Sequence, residues 1–206
     1  MTGLRQRQKA DRDLRILEAA AELFRAVGYD GTKMEAIAQH AGVAAGTIYN
    51  YHQNKGDLLV AIVAMEVDEV LAAGQKLILR PHADAALAVN QLFAIYLEHS
   101  LVYLSKEMWR HAMAMSIQQP HSPSGRLYGS LDQQLSAQVC ALIASLQSAG
   151  ALRPEVNANA IGQLLFNNMD RMFIGFVKTD SMTLGELKRK IAAQTRALMQ
   201  GLAVVG

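Results

Sequence analysis

A run of uncharged polar side chains followed by a lysine stands out in the first third of this 206-residue chain. Thr47, Tyr49 and Asn50 carry hydroxyl and amide groups, which suit hydrogen bonds to phosphate oxygens and to the edges of nucleic-acid bases. Gly46, directly before them, has no side chain to hold such a ligand away. Lys55 begins a helical pattern, where its ammonium and the positive end of the helix dipole both favour an anion. These residues therefore suit the recognition of a polyanion.

The chain has no pattern of residues typical of catalysis or metal binding. It contains no His-Glu-x-x-His pair, no Gly-x-Ser-x-Gly turn, no glycine-rich phosphate loop and no clustered carboxylates. The single cysteine, Cys140, excludes an internal disulfide and fits a reducing compartment. We therefore expect a cytoplasmic protein that is not an enzyme and holds no metal and no cofactor. No apolar run is long enough to span a bilayer, so we expect no membrane partner.

Two helical patterns precede the polar run. Apolar residues repeat at helical spacing from Leu14 to Val27, and Gly28 then supplies a stop. Thr32 and Glu35 lie three residues apart, a spacing that predicts a capping box at the start of a second helix over residues 33–40. The polar run therefore follows two predicted helices.

The polar run itself falls on a short third helix, predicted over residues 44–51. Gly42 separates it from the second helix, because glycine tolerates the positive φ of a tight turn. Asn54 and Asp57 then predict the cap of a long fourth helix over residues 55–79. Two short helices joined by a tight turn are typical of a helix-turn-helix, whose second helix enters the major groove of DNA.

The beginning of the chain is basic. Five basic residues precede Ile16 and only two acidic residues accompany them, which predicts a basic arm that supports nucleic-acid binding. The basic residues are Arg5, Arg7, Lys9, Arg12 and Arg15, and the acidic ones are Asp11 and Asp13. The alternative is a disordered tail that only increases solubility.

Residues 14–60 resemble the DNA-binding domain of the TetR family of transcriptional regulators. The matching positions are Ile16-Leu17-x-Ala19-Ala20-x-x-Leu23-Phe24-x-x-x-Gly28-Tyr29, Ile37-Ala38-x-x-Ala41-Gly42-Val43, Gly46-Thr47-Ile48-Tyr49, and Lys55, Leu58 and Leu59. The resemblance implies a homodimer of chains with nine or ten helices each. It places a DNA-binding domain in residues 1–54 and a helical effector-binding and dimerisation domain in residues 55–206.

The resemblance also implies roles for individual residues on double-stranded operator DNA. Phosphate contacts are expected from Thr32, Lys33, Thr47, Tyr49 and Lys55. Base edges are expected to meet the region of Ala44, Ala45, Gly46 and Asn50, and Tyr51 to contact either phosphates or bases. Two positions depart from the family pattern: Ala44 replaces a common capping serine, and His52 replaces a phenylalanine of the core. Loss of the cap costs about 1 kcal/mol of local helix stability.

The rest of the chain shows helical periodicity throughout, so the fold class is all-α with about nine helices. A helical domain attached to a DNA reader is expected to hold a small-molecule effector in an apolar cavity. One predicted pair on a shared helix face is His99 with Tyr103, and another is Trp109 with Met113. Asn168 and Arg171 lie in an otherwise apolar helix and need partners, which are an effector, a second subunit or each other.

The last two helices are expected to form the dimer interface, as they do in the family. The predicted interface residues are Phe173, Leu184, Leu187, Ile191 and Leu198. The resulting hypothesis is a repressor that binds a near-palindromic operator as a homodimer and is released by an effector. The alternatives are a degenerate member that acts as a protein-binding adaptor, and a small helical-bundle enzyme. Salt-sensitive binding to double-stranded DNA distinguishes the regulator from both.

Overall fold

A computed structural model of the chain describes residues 2–82 and 84–203. These residues form nine α-helices, which confirms the prediction of an all-α protein. The helices are α1 (Thr2–Val27), α2 (Met34–His40), α3 (Ala45–Tyr49), α4 (Lys55–Ile78), α5 (Ala85–His99), α6 (Lys106–Gln118), α7 (Pro123–Ser148), α8 (Ala158–Lys178) and α9 (Leu184–Gln200). Over the same residues, no helix combines the length and the apolar composition that crossing a membrane requires.

Helix α1 is much longer than the periodicity predicted, because it begins at Thr2 and not near Leu14. Residues 4–13 are mainly leucine, arginine, glutamine, lysine and alanine, which favour helix intrinsically. They lack an apolar stripe because this part of the helix is exposed. The basic arm is therefore the first part of α1, and a disordered tail is wrong for these residues.

Glycines end two of the first helices by adopting positive φ. Gly28 has φ 87° after α1, and Gly42 has φ 64° after α2. At Gly42 the backbone N–H of Val43 donates to the Ala38 carbonyl at 2.9 Å, which closes the α2 end in the manner of a Schellman motif. The turn between α2 and α3 thus depends on a glycine, as predicted.

The chain divides into two compact units. The first comprises residues 1–65 and 103–129, and the second comprises residues 66–102 and 130–206. Helix α4 starts in the first unit and continues into the second, and α7 does the same. The expected division at residues 54 and 55 stays a prediction.

The core of the first unit joins α1, α2 and α3 to the start of α4 and to α6. Its side chains are fully or almost fully buried and almost all apolar, and their burial supplies the main free energy that holds the short α2 and α3 in place. They include Ile16, Phe24, Ile37, Ile48, Leu58, Leu59, Ile62 and Met108.

The second unit packs α5 against α9 and α8 against α9. Side-chain caps begin α8 and α9. The Asn157 side chain accepts from the backbone N–H of Ala160 at the start of α8, and Thr183 forms a capping box with Glu186 at the start of α9. In the first unit, Ser105 caps α6.

Candidate nucleic-acid interface

Helix α3 presents most of the residues predicted to face DNA. Ile48 is completely buried and anchors the helix, whereas Tyr49 is 45% exposed. Thr47 and Tyr51 are half-buried, and the remaining predicted positions on and around the helix are exposed, namely Ala44, Ala45, Gly46 and Asn50. A short helix with one buried anchor and an exposed polar face has the form required to enter a groove.

The cap of α3 is absent, as expected from the departure at Ala44. Ala44 occupies the N-cap position with φ −65° and ψ 144°, and no side chain caps the helix. The backbone N–H of Thr47 donates to the Ala44 carbonyl at 2.8 Å. The N-terminus of α3 therefore carries no capping side chain that could obstruct an approaching ligand.

The Tyr49 side chain is held by an acid of α2. Its hydroxyl donates to Glu35 Oε1 at 3.0 Å. A backbone hydrogen bond and this hydroxyl lower the pKa of the Glu35 carboxyl, and the same contact raises the pKa of Tyr49. The sequence pattern assigns Glu35 only to a helix cap and gives no signal that it lies beside Tyr49.

The capping box predicted at the start of α2 is wrong. Lys33, and not Thr32, is the N-cap residue, and it receives no side-chain capping bond. Thr32 is buried and its hydroxyl donates to the Gly28 carbonyl at 2.7 Å, so this side chain closes the end of α1. In this conformation the hydroxyl does not face a phosphate, whereas the Lys33 side chain is exposed.

Lys55 lies against the segment that follows α1. Its ammonium donates to the carbonyls of Tyr29 at 2.8 Å and Asp30 at 3.0 Å, and lies 4.8 Å from the centre of the Tyr29 ring. The Tyr29 ring itself stacks on His111 of α6 at 4.4 Å. An ammonium has three donors, so these two bonds leave one N–H for an anion.

The start of α4 is fixed by the predicted pair of residues. The backbone N–H of Asp57 donates to Asn54 Oδ1 at 3.0 Å, and the Asp57 carboxylate accepts from Asn54 Nδ2 and from the backbone of Gln53, each at 3.1 Å. The other Asp57 oxygen accepts from the hydroxyl of Ser124, in the first turn of α7. No sequence pattern predicts this hydrogen bond between α4 and α7.

The N-terminal part of α1 is attached to the end of the helix-turn-helix. His52 is 9% exposed, as expected of a residue that replaces a core phenylalanine, and its Nε2 lies 2.8 Å from Asp13 Oδ1. The Lys9 ammonium lies 5.8 Å from the centre of the Tyr51 ring. The second contact holds the exposed Lys9 side chain beside Tyr51, just after the recognition helix.

The predicted effector residues lie in both units, with Tyr103, Trp109 and Met113 in the first and His99, Asn168 and Arg171 in the second. Helix α5 ends at His99, so Tyr103 does not share a helix face with it, and that prediction is wrong. His99 pairs with Glu69 at 2.9 Å. On α6, Trp109 is buried in the first unit and Met113 is half-buried.

One polar residue of α8 has a hydrogen-bond partner inside the chain. The Asn168 amide donates to Gln194 Oε1 of α9 at 2.9 Å, a partner that the sequence analysis did not consider. Arg171 is exposed. The second unit also has an open cleft of about 590 Å³, and none of the six predicted effector residues lines it.

Part of the predicted dimer interface is buried inside the chain itself. Phe173, Leu187 and Ile191 are buried within their own chain, since α9 packs on α5 and α8. Leu184 and Leu198 remain half-buried. A single apolar face of α9 therefore serves the core of the chain, and a partner would have to meet the flanking positions.

No group of three or more His, Cys, Asp or Glu side chains in the described part of the chain is arranged to hold a metal ion. The recognisable site of this chain is consequently the exposed surface around α3, bordered by Lys33, Lys55 and the basic side of α1.

Comparison with known proteins agrees with this geometry. Residues 16–62 match the model of the family described as bacterial regulatory proteins, tetR family. The chain is 41% identical over 56 residues to the fatty acid metabolism regulator protein of Bacillus subtilis, an alignment that covers 27% of this chain and 29% of the relative. The chain thus matches less than a third of the length of this relative, within the DNA-binding region.

Solved structures share the whole fold. A TetR-family transcriptional regulator from Mesorhizobium loti has a TM-score of 0.72 and 21% identity, with 95% of this chain and 98% of that one covered. The Thermus thermophilus repressor FadR, solved in complex with lauroyl-CoA, has a TM-score of 0.65 and 20% identity, with 94% and 96% covered. The helix-turn-helix region of this chain therefore matches the tetR family model over residues 16–62, and the helices of its described residues share the fold of solved TetR-family regulators.

Proposed function

We propose that this chain is a cytoplasmic transcriptional repressor that binds a near-palindromic operator as a homodimer and releases it when a small molecule binds. The observation that carries the proposal is the surface of α3. A buried Ile48 fixes the helix, while uncharged polar side chains and a glycine face outward between two lysines. Such a surface suits both phosphate oxygens and base edges.

Within this surface the residues divide by chemistry. Lys33, Thr47, Tyr49 and the free N–H of Lys55 are assigned to phosphates, because they carry an ammonium or a hydroxyl group. Asn50 is assigned to base edges, since its amide both donates and accepts as an adenine edge requires. Ala44, Ala45 and Gly46 allow close approach of the helix to the bases, and Tyr51 is assigned to either target.

The homodimer supplies the second recognition helix. In a helix-turn-helix dimer the two recognition helices lie about one DNA turn apart, so the operator is palindromic when the dimer is twofold symmetric. The exposed residues of α8 and α9 that flank the buried stripe are the proposed interface. Among them are Leu164, 52% exposed, and the half-buried Leu184 and Leu198.

Effector release is assigned to α4. This helix begins at Lys55 in the first unit and extends through Ile78 in the second. A ligand that moves the second half of a continuous helix changes the position of its first turn, and the coupling between ligand and DNA must be reciprocal. The lauroyl-CoA bound by the Thermus thermophilus repressor supports an effector with an apolar body.

Selection of binding sites from random duplex DNA, followed by titration at several salt concentrations, tests the proposal. We expect a motif of two inverted half-sites and an affinity that falls steeply with salt. Tyr49→Ala and Lys55→Ala should weaken binding to all sequences alike, whereas Asn50→Ala should change the base preferred at one position of each half-site. Gln133→Ala, an exposed change of an amide side chain on α7, is the matched control and should have no effect.

Two results would contradict the proposal. A chain that binds no duplex DNA at low salt is not a regulator of this kind, and the adaptor alternative then gains support. Equal loss at every operator variant for Asn50→Ala would remove this residue from base recognition.

A further inference from the structure

Glu66 is a buried acid on α4, the helix proposed to connect the effector to DNA. It lies in line with Ile62 and Val70, one turn away on either side, and all three side chains are at most 3% exposed. Among the described residues, no hydrogen-bond partner reaches its Oε2 atom. Burial of an ionisable group without a partner is costly, so its presence on an otherwise apolar face calls for an explanation.

Several other polar side chains of the second unit have partners. Glu69, one turn further along α4, pairs with His99 at 2.9 Å. The Tyr96 hydroxyl donates to Gln138 Oε1 at 2.7 Å, and the Gln138 amide donates to the Leu71 carbonyl at 2.8 Å. Asn90 Oδ1 and Thr195 Oγ1 of the same unit also lack a hydrogen-bond partner among the described residues, but neither residue is ionisable, whereas Glu66 is an acid.

The register of α4 against α5 explains why α5 supplies no partner. A Cβ on Gly74 would lie 2.8 Å from Leu92, and Glu69 contacts His99, so the two helices run antiparallel. Glu66 lies one turn before Glu69 on α4, whereas α5 ends at His99, the partner of Glu69. Glu66 thus lies beyond the end of α5, so α5 itself supplies no partner for its carboxyl.

The electrostatic surroundings of Glu66 favour a positive partner. Burial, and to a smaller extent the charge of the neighbouring Glu69, raise the pKa of its carboxyl to about 9. A neutral hydrogen-bond donor would satisfy the free oxygen only. A cation would displace the proton of Glu66, pair with the resulting carboxylate and offset the repulsion that this ionised form feels from Glu69, and hydrogen bonds between charged groups are about twice as strong as neutral ones.

We propose that Glu66 anchors a basic nitrogen of the effector, so that the effector is an apolar molecule carrying an amine or ammonium group. This inference rests on the proposed function, since it names the chemistry of the ligand that releases DNA. Glu66 and Lys55 belong to one continuous helix and are separated along its axis by about 16 Å. A ligand held at Glu66 therefore acts directly on the helix whose first turn borders the DNA surface.

Three ligands with the same hydrocarbon chain test the inference on the full-length protein: octylamine, octanol and octanoate. Calorimetry measures their binding, and fluorescence anisotropy of a labelled operator measures release. We expect octylamine to bind at least about tenfold more tightly than octanol at neutral pH, and octanoate to bind most weakly. Glu66→Gln should reduce the affinity for octylamine to that for octanol. Asp68→Asn, the same change of charge on an exposed part of α4, should leave it unchanged.

The outcomes separate the two proposals. Equal affinities for octylamine and octanol in the wild-type chain, or a preference for octylamine that survives Glu66→Gln, would overturn the anchor. Preference for octanoate would indicate an anionic effector and would overturn it too. If octylamine binds through Glu66 but leaves operator binding unchanged, the anchor stands and the release mechanism fails. Thermal unfolding of Glu66→Gln checks that the variant is folded.

Discussion

The Tyr49 hydroxyl donates to the Glu35 carboxylate at 3.0 Å, so a negative charge lies directly beside a side chain assigned to phosphate. This charge repels the phosphates of the DNA backbone. When DNA binds, the Tyr49 hydroxyl must either break its hydrogen bond to Glu35 or keep that bond while it contacts a phosphate. Glu35→Gln keeps the size and a hydrogen-bond acceptor but removes the charge.

We therefore predict that Glu35→Gln raises the affinity for operator by about threefold to tenfold at low salt, with a smaller gain at high salt. Anisotropy titrations at two salt concentrations measure the effect. Glu155→Gln, an exposed acid outside the helix-turn-helix, is the control. An unchanged or lower affinity for Glu35→Gln would mean that the contact with Tyr49 assists binding instead of opposing it.

Gly46 provides a test of close approach between α3 and DNA. A Cβ at this position meets no atom of the chain within 4 Å, and alanine favours helix over glycine by about 1 kcal/mol. Gly46→Ala should therefore keep or increase stability while lowering operator affinity about tenfold or more, which urea unfolding and DNA titration measure separately. Undiminished operator affinity would show that the backbone of α3 stays away from DNA.

The contact between His52 and Asp13 should stabilise the first unit. His52→Ala removes a buried ring as well as the contact at 2.8 Å, so we predict a loss of about 2–4 kcal/mol. Asp13→Asn keeps the volume and should cost about 1 kcal/mol. His52→Phe restores the ring without the polar contact and should fall between wild type and His52→Ala. Urea unfolding gives the three values, and equal stabilities for His52→Ala and His52→Phe would refute the packing role of the ring.

Glu66 predicts how stability depends on pH. Its pKa is raised from 4.5 to about 9 in the folded chain, so between these values the folded state retains a proton that the unfolded state has lost. Stability therefore declines as pH rises through this interval, by up to about 1.4 kcal/mol per pH unit, and the contribution is complete below the lower value.

Glu66→Gln should remove this decline, making the variant more stable than wild type at alkaline pH and similar to it at acidic pH. Urea unfolding at about pH 5 and about pH 8 measures the difference. Asp68→Asn should retain the wild-type decline. A wild-type stability that does not fall faster with pH than that of Glu66→Gln would contradict the burial of an acid at this position.

Gly162 allows α8 to approach α7. A Cβ there would lie 2.5 Å from the Cα of Cys140, a distance that backbone atoms cannot relieve by rotating a side chain. Gly162→Ala should destabilise the chain by about 2 kcal/mol or more despite the higher helix propensity of alanine. Gly129→Ala, on an exposed part of α7 where a Cβ meets nothing, should instead stabilise it by about 0.5–1 kcal/mol. Thermal unfolding compares the two, and similar effects from both changes would contradict the close approach.

Much of the DNA-facing unit was predictable because its determinants are local. Apolar spacing, glycines at helix ends and capping pairs act over three to six residues, and they identified α2, α3, the turn at Gly42 and the Asn54 cap. Apolar periodicity did not predict the helix over residues 2–13, since an exposed helix needs no apolar stripe. The capping box predicted from Thr32 does not form. The Thr32 hydroxyl lies close to two helix ends, and it donates to the Gly28 carbonyl at the end of α1 instead of capping α2.

By itself the sequence determined the helix-turn-helix and the number of helices in the described residues, because these depend on neighbours along the chain. Tertiary structure alone decided which residues meet over long separations: Asp13 with His52, Glu35 with Tyr49, and Ser124 with Asp57. It also placed Leu187 and Ile191 in the core of the chain, since an apolar stripe does not specify which helix will cover it. The free oxygen of Glu66 belongs to the same class, because the lack of a partner depends on where α5 ends and not on the residues beside Glu66 in the sequence.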